Sequence, residues 1–381
     1  MKILVISHSA LLQSYQRKFE ILANKLGWEV FLVTPKSWME AGNRRIEGKS
    51  RQRGKLQVKA ITCFLKNRLR SHFYPLLFFY IIFKKPDIVY VEEEPQSLVA
   101  RQAAFASNFI KAKLIFFTWE NIFQKYRGFK RSTEKFLYKK SDGAIAGNLE
   151  GKKILQKKGF KKPIEIIPQY GVDPKFFKPM VIDNLRDRLR IRKDEFVIGF
   201  IGRLLPEKNI SSIFQAILNI EKSPKILIIG NGPSKESLEE KAVELGLTDR
   251  VIFIKGVSYD LMPKYMNLLN VLVLPSITTK FWKEQFGRVL IEAMACGVSV
   301  VGSNSGEIPN VIKDAGVVFP EGNVSELESA IRKLMSDKSF RKNIGDRGIV
   351  RVKENFTNEA IALRLHRFIN LRIFSGFEAI R

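Results

Sequence analysis

Cysteine is almost missing from this chain of 381 residues. Only Cys63 and Cys296 occur, far apart and without the spacing of metal-ligand pairs. That excludes a disulfide framework or a zinc ribbon and suits a reducing cytosol. Histidine is nearly as scarce, at His8, His72 and His366. No apolar run approaches the roughly 20 residues of a membrane span; the longest, Phe73 to Phe83, contains Pro75. The apolar start, Ile3 to Ile6, is too short for a signal-peptide core and reads as a buried first strand. Acidic residues are absent from Gly48 to Pro86, and no Asp-x-Asp pair occurs anywhere.

What is present is a basic excess on a globular background. Hydrophobic residues make up 45% and charged residues 27%, which excludes a disordered or fibrous chain. The net charge is +27, and residues 1–180 hold 35 Lys+Arg against 14 Asp+Glu. The first half therefore carries most of the field, and such a field attracts a polyanion: nucleic acid or an anionic membrane surface.

Short apolar runs alternate with helical patterns, the mark of parallel sheets with crossover helices. Strands are predicted at 3–7, 29–34, 87–91, 113–118, 143–146 and 164–167, and in a second series at 196–201, 225–229, 251–255, 271–274, 299–302 and 316–319. A linker helix is expected over 183–190. The pattern gives an α/β chain of two doubly wound domains, 1–175 and 176–357, with a helical tail, 358–381, returning to the first. Ligands in such sheets sit beyond the carboxyl ends of the strands, so the loops that follow strands are the ones to read.

Three of those loops stand out. Gly202-Arg203-Leu204-Leu205-Pro206-Glu207-Lys208 follows a strand and leads into a helix, placing two cations where an anion is welcome. The alternative is a solvated basic loop. Gly230-Asn231-Gly232-Pro233 lets the backbone approach a ligand, or is a plain turn. Glu284-Gln285-Phe286-Gly287-Arg288 runs into an apolar helix that holds Glu292. A carboxylate in such company needs hydrogen-bond partners; sugar hydroxyls suit both glutamates, and a salt-bridged Glu292 is the alternative.

These residues, with Pro168-Gln169-Tyr170-Gly171-Val172-Asp173, resemble the retaining glycosyltransferases of family 4 (glycosyl transferases group 1), and the resemblance covers nearly the whole chain. It implies the GT-B architecture, two Rossmann-like domains facing across a cleft, and a UDP- or GDP-linked sugar as donor with no cofactor and no metal. Arg203 and Lys208 would bind the diphosphate and Glu284 the sugar. Glu292 would hold the ribose, with Gly202, Gly230, Gly232, Phe286 and Gly287 lining the donor pocket. Family members often carry a catalytic histidine after the fourth strand of the first domain. Here Trp119-Glu120-Asn121 stands instead, so Glu120 or Asn121 takes that role or the role is missing. His8 and Glu94, each after a strand, are candidates for the acceptor side. The first loop reads Ser9-Ala10-Leu11-Leu12, without the glycine pair of many relatives.

The acceptor side carries the charge. Asn67 to Lys85 has a basic flank, an apolar aromatic body and a basic end, as an interfacial anchor does; Lys125 to Lys162 adds a second basic stretch. Continuous apolar residues argue that the 73–83 helix is largely buried. The expectation is a cytoplasmic enzyme held at the inner face of the membrane. It would move a hexose to a lipid-linked or polysaccharide-type acceptor of the cell envelope. The competing readings are a non-catalytic sugar-nucleotide binder and a basic nucleic-acid-binding protein, for which no recognisable motif is present.

Overall fold

A computed structural model describes residues 1–39, 45–68, 70–182, 184–221 and 224–375. Asp183, the expected start of the linker helix, lies outside the described residues, as do Leu69 of the basic flank and the end of the tail, 376–381. The chain divides into two compact units, Met1–Gly171 with Asn358–Arg381, and Val172–Thr357. The division falls before residue 175 because Val172 already pairs with Thr357, and its N–H bonds the Phe356 carbonyl at 2.8 Å.

The first unit contains β1 (Lys2–Ile6), β2 (Glu29–Pro35), β3 (Ser37–Met39), β4 (Arg45–Glu47), β5 (Arg51–Arg53), β6 (Leu56–Ile61), β7 (Ile88–Val91), β8 (Lys113–Thr118), β9 (Gly143–Ala146) and β10 (Ile164–Ile166). Eight of them form one sheet in the order β10-β9-β8-β7-β1-β2-β6-β5; β3 and β4 form a separate ribbon. All pairs in the large sheet are parallel except β5 with β6. Its helices are α1 (Gln13–Asn24), α2 (Leu77–Lys84), α3 (Leu98–Phe109), α4 (Gly128–Lys140) and α5 (Leu149–Lys157). Successive strand residues face opposite ways. Leu4 and Ile6 join a core with Leu77, Val99 and Leu137 from α2, α3 and α4, while Ile3 and Val5 join Phe19 and Leu22 of α1. Ile361 and Leu365 of the last helix, Asn358–Phe368, complete that second layer. Both faces are covered, as a parallel sheet requires.

Two expectations change. The acid-free stretch holds β5 and β6, unread in the sequence because Gln57 and Lys59 interrupt the apolar run. Their alternation with buried Leu56, Val58 and Ala60 is the strand signal. And α2 is not a largely buried helix. Only Leu77 and Ile81 are buried within it, while Phe79 and Phe83 are 54% and 79% exposed. An eight-residue helix presents one stripe to the sheet and leaves the other side outside.

The second unit has β11 (Val197–Ile201), β12 (Lys225–Ile229), β13 (Val251–Ile254), β14 (Val271–Leu274), β15 (Ser299–Ser303) and β16 (Val317–Phe319), all parallel in the order β13-β12-β11-β14-β15-β16. Its helices are α6 (Leu185–Arg188), α7 (Ser211–Ile217), α8 (Lys235–Glu244), α9 (Met262–Met266), α10 (Arg288–Ala295), α11 (Ile308–Ile312), α12 (Val324–Ser336) and α13 (Lys338–Asn355). In each sheet the strand order reverses once: between β1 and β7 in the first unit, and between β11 and β14 in the second. A ligand crevice opens at such a switch point, beyond the strand carboxyl ends.

Candidate functional site

The loops after β11 and β14 flank the switch point of the second unit. Past β11 the chain turns through Pro206–Lys208, and the Ile277 N–H, on the loop after β14, bonds the Glu207 carbonyl at 2.9 Å. The two loops are thereby fixed to each other. Across that junction Lys208 Nζ donates to Glu284 Oε2 at 2.5 Å, and Ser276 Oγ donates to the same oxygen at 3.1 Å. The Lys208 ammonium also lies 4.7 Å from the centre of the Trp282 ring. Glu284 is buried, a charged group kept from water and held by two donors. Arg203, on the same loop as Lys208, is exposed.

The glycines serve this junction by close approach. A Cβ on Gly230 would overlap the Gly202 carbonyl, and one on Gly306, whose φ is +55°, would overlap the Glu284 carbonyl. Gly232 meets the Leu204 backbone in the same way. The Gly-Asn-Gly turn therefore has a packing reason of its own: it lets the loops after β11 and β12 touch, with the Leu204 N–H bonded to the Asn231 carbonyl at 3.0 Å.

Gly287 caps the start of α10. One turn on, Glu292 is buried and accepts from Arg288 Nε at 2.8 Å, while Arg288 reaches the Tyr259 hydroxyl at 3.0 Å. Burial pushes the Glu292 carboxyl above its usual range, and the Arg288 guanidinium partly offsets that. The salt bridge, the alternative reading of Glu292, is thus present. The Phe286 ring is buried and packs edge-on against Phe356 at 5.7 Å, which leaves only its backbone for a ligand contact. Its apolar face serves the core.

The first unit has its own cluster at its switch point. His8 follows β1 and Glu92-Glu93-Glu94 follow β7. Glu93, not Glu94, meets His8: both Glu93 oxygens lie 2.8 Å from His8 Nδ1, and the His8 N–H bonds Oε1 at 3.0 Å. His72 Nε2 is 3.7 Å from the same carboxylate, and Trp38 packs 5.0 Å from both imidazoles. His8, His72 and Glu93 lie within 4.8 Å of one another, a set with metal-ligand chemistry. Nothing in the spacing of residues 8, 72 and 93 signals this meeting; only the strand order makes it. Burial opposes charge on Glu93, but the two imidazoles hold its carboxyl down at about 2; burial likewise opposes charge on His8, yet Glu93 raises its pKa overall.

Glu94, half-buried after the same strand, accepts from Thr118 Oγ1 at 2.7 Å and the Trp119 N–H at 2.9 Å. Burial raises its pKa to about 7 despite those bonds. Glu120 is committed as well: both oxygens accept from Lys158 Nζ at 2.7 Å, beside Glu134 on the same ammonium. Asn121 is buried next to it. A third buried pair went unread: Lys18 of α1, which bonds Glu92 and the Gln169 carbonyl. A lysine on an amphipathic helix is normally solvated, so the sequence carries no sign of it.

The pKa directions fix a pH profile for this unit. Glu94 and His8 are raised, so their contribution to stability is full below their unfolded values and is lost as pH rises through the folded ones. Glu93 is depressed, so its contribution is lost as pH falls from about 4.5 toward about 2. Melting followed from pH 5 to 8 should show stability falling, and Glu94→Gln should flatten that fall. An unchanged slope in the variant would remove Glu94 as its source.

Two doubly wound units whose sheets each reverse order once define the GT-B class of α/β fold, and this chain has it. The model of the family "Glycosyl transferases group 1" matches residues 181–351, most of the second unit. Among solved structures, a glycosyltransferase from Rickettsia africae is similar over 98% of this chain and 99% of its own, with TM-score 0.76 and 16% identity. Anabaena HepE in complex with UDP is similar over 97% and 100%, with TM-score 0.75 and 18% identity. Among curated proteins, the capsular polysaccharide biosynthesis glycosyltransferase CapM of Staphylococcus aureus is 31% identical over 203 residues, 51% of this chain and 52% of that protein. The chain spans about half the length of the curated relatives it matches. Among the described residues, no helix is long and apolar enough to cross a membrane.

Proposed function

We propose that the protein is a retaining glycosyltransferase. In this reading it moves a hexose from a UDP- or GDP-linked donor to a lipid-linked or polysaccharide-type acceptor at the cytosolic membrane face, as part of cell-envelope polysaccharide synthesis. The observation that carries the reading is the Lys208–Glu284–Ser276 cluster at the switch point of the second unit, inside the segment matched by the family model. HepE was solved with UDP, and CapM is named for capsular polysaccharide biosynthesis; both fit.

The chain's own residues divide the work as follows. Arg203 and Lys208 bind the donor diphosphate and stabilise its charge as the glycosidic bond breaks, a preorganised electrostatic site. Glu284 orients Lys208 and accepts from sugar hydroxyls. Glu292, held by Arg288, accepts from the ribose. The departing phosphate takes the acceptor proton, so the new bond forms on the face the old one left and no protein nucleophile is needed. The sequence lacks an Asp-x-Asp pair, and we place the stabilisation of the leaving group on Arg203 and Lys208 without a metal ion.

A melting screen across nucleoside diphosphate sugars tests the donor site, since a ligand of the folded state raises apparent stability. One nucleotide series should stand out, and the gain should persist in EDTA. A gain that needs Mg²⁺ or Mn²⁺ would overturn the metal-free mechanism; no gain with any donor would overturn the donor site.

A further inference from the structure

The first unit leaves uncovered a face that its core does not use. On α2, Phe79 and Phe83 sit one turn apart, with Leu76 just before the helix, and all three are exposed. On α3, Phe105 and Phe109 repeat the spacing, 59% and 67% exposed. Phe78 joins the two stripes, its ring 5.6 Å from Phe79, 5.6 Å from Phe105 and 5.7 Å from Phe109. Arg101 extends the face to α4, its guanidinium 5.2 Å from the ring of exposed Phe129. Contiguous apolar surface of this kind marks an interaction site.

The charge on these helices decides what covers it. α2, α3 and α4 carry Lys84, Arg101, Lys130, Arg131, Lys135, Lys139 and Lys140 against a single acid, Glu134. Glu134 is buried and bonded to Lys158, so the outer side presents one sign alone. A second copy of the same face would set like charges against each other, since a two-fold contact is self-complementary. Aromatics flanked by lysine and arginine suit the boundary of an anionic bilayer, where rings enter the headgroup layer and cations meet the lipid phosphates.

We propose that α2, α3 and α4 form one docking surface for an anionic lipid bilayer, with Phe79, Phe83, Phe105, Phe109 and Phe129 entering the interface. The proposal rests on the reading above that the acceptor is offered at a lipid surface. It adds which face meets the lipid, and it shifts the anchor from one helix to three.

Flotation of the full chain with vesicles of phosphatidylcholine, and with vesicles containing one third phosphatidylglycerol, tests it. The protein should bind the second and not the first, more weakly as salt rises. Phe83→Ser with Phe109→Ser should cut binding by about tenfold or more, since each ring forfeits apolar burial. Both side chains are exposed, so the melting temperature of the double variant should match that of the parent. Absence of binding to anionic vesicles would overturn the proposal, as would unchanged binding by the variant. So would a dimer in solution that the same substitutions disperse, which would assign the face to a second copy. The donor-induced melting gain is read on the same samples. Vesicle binding lost with that gain intact defeats this surface alone; the gain lost with vesicle binding intact defeats the donor site alone.

Discussion

Glu284→Ala is expected to lower sugar transfer by about a hundredfold or more, the scale of removing a preorganised charge contact from a reacting centre. The carboxylate is buried, accepts from Lys208 at 2.5 Å and from Ser276 at 3.1 Å, and sits on a loop fixed to the Lys208 loop by backbone. Its loss leaves Lys208 without the partner that aims it. Lys208→Ala should fall as far, because in the proposed donor site the diphosphate then loses the half-buried cation that Glu284 holds in place. The two losses should not add: both residues form one device, and the double variant should lie near the worse single one. The measurement is turnover alongside donor-induced stabilisation. Near-native turnover in either single variant would reduce the pair to a structural ion bridge.

Lys18→Met should destabilise the first unit by roughly 3–5 kcal/mol, the cost of stranding a buried charge. The ammonium is fully enclosed and bonds Glu92 and the Gln169 carbonyl. Burial alone lowers its pKa, and Glu92 opposes that. At about 2–4 °C per kcal/mol for a unit of this size, the melting temperature should drop by about 6–20 °C. Lys18→Met combined with Glu92→Leu should recover most of the loss, since a pair of apolar groups replaces the buried pair. If the single variant melts with the parent, the ion pair contributes nothing to stability. A double variant no better than the single one would show instead that packing, not charge, was disturbed.

The two sheets were legible because parallel strands buried on both faces read as unbroken apolar runs; Ile3 to Ile6 and Ile226 to Ile229 are of this kind. The strand Leu56–Ile61, next to the sheet edge, escaped because its polar side alternates with the buried one. The meeting of Lys208 and Glu284 was legible because each lies on a loop that follows a strand, and the switch point then brings the two together. Phe286 shows where that reasoning stops: the same loop carries the Glu284 carboxylate to Lys208 and the ring two residues on into the core. In the first unit the histidine cluster was illegible because His8, His72 and Glu93 come from three distant loops. The charge of residues 1–180 was legible as an amount, but not as a face. Only the helix packing shows Glu134 turned inward and the phenylalanines outward.

The central claim is transfer of a sugar with retention, and the anomeric proton of the product tests it most directly. The purified protein is incubated with the donor chosen by the melting screen, water or a membrane extract serving as acceptor, and proton NMR follows the sugar as it leaves the nucleotide. The account predicts release of the nucleoside diphosphate, a first-formed product with the donor's anomeric configuration, and neither signal with Glu284→Ala. An inverted product would contradict the mechanism, and an intact donor in every case would contradict the enzyme itself.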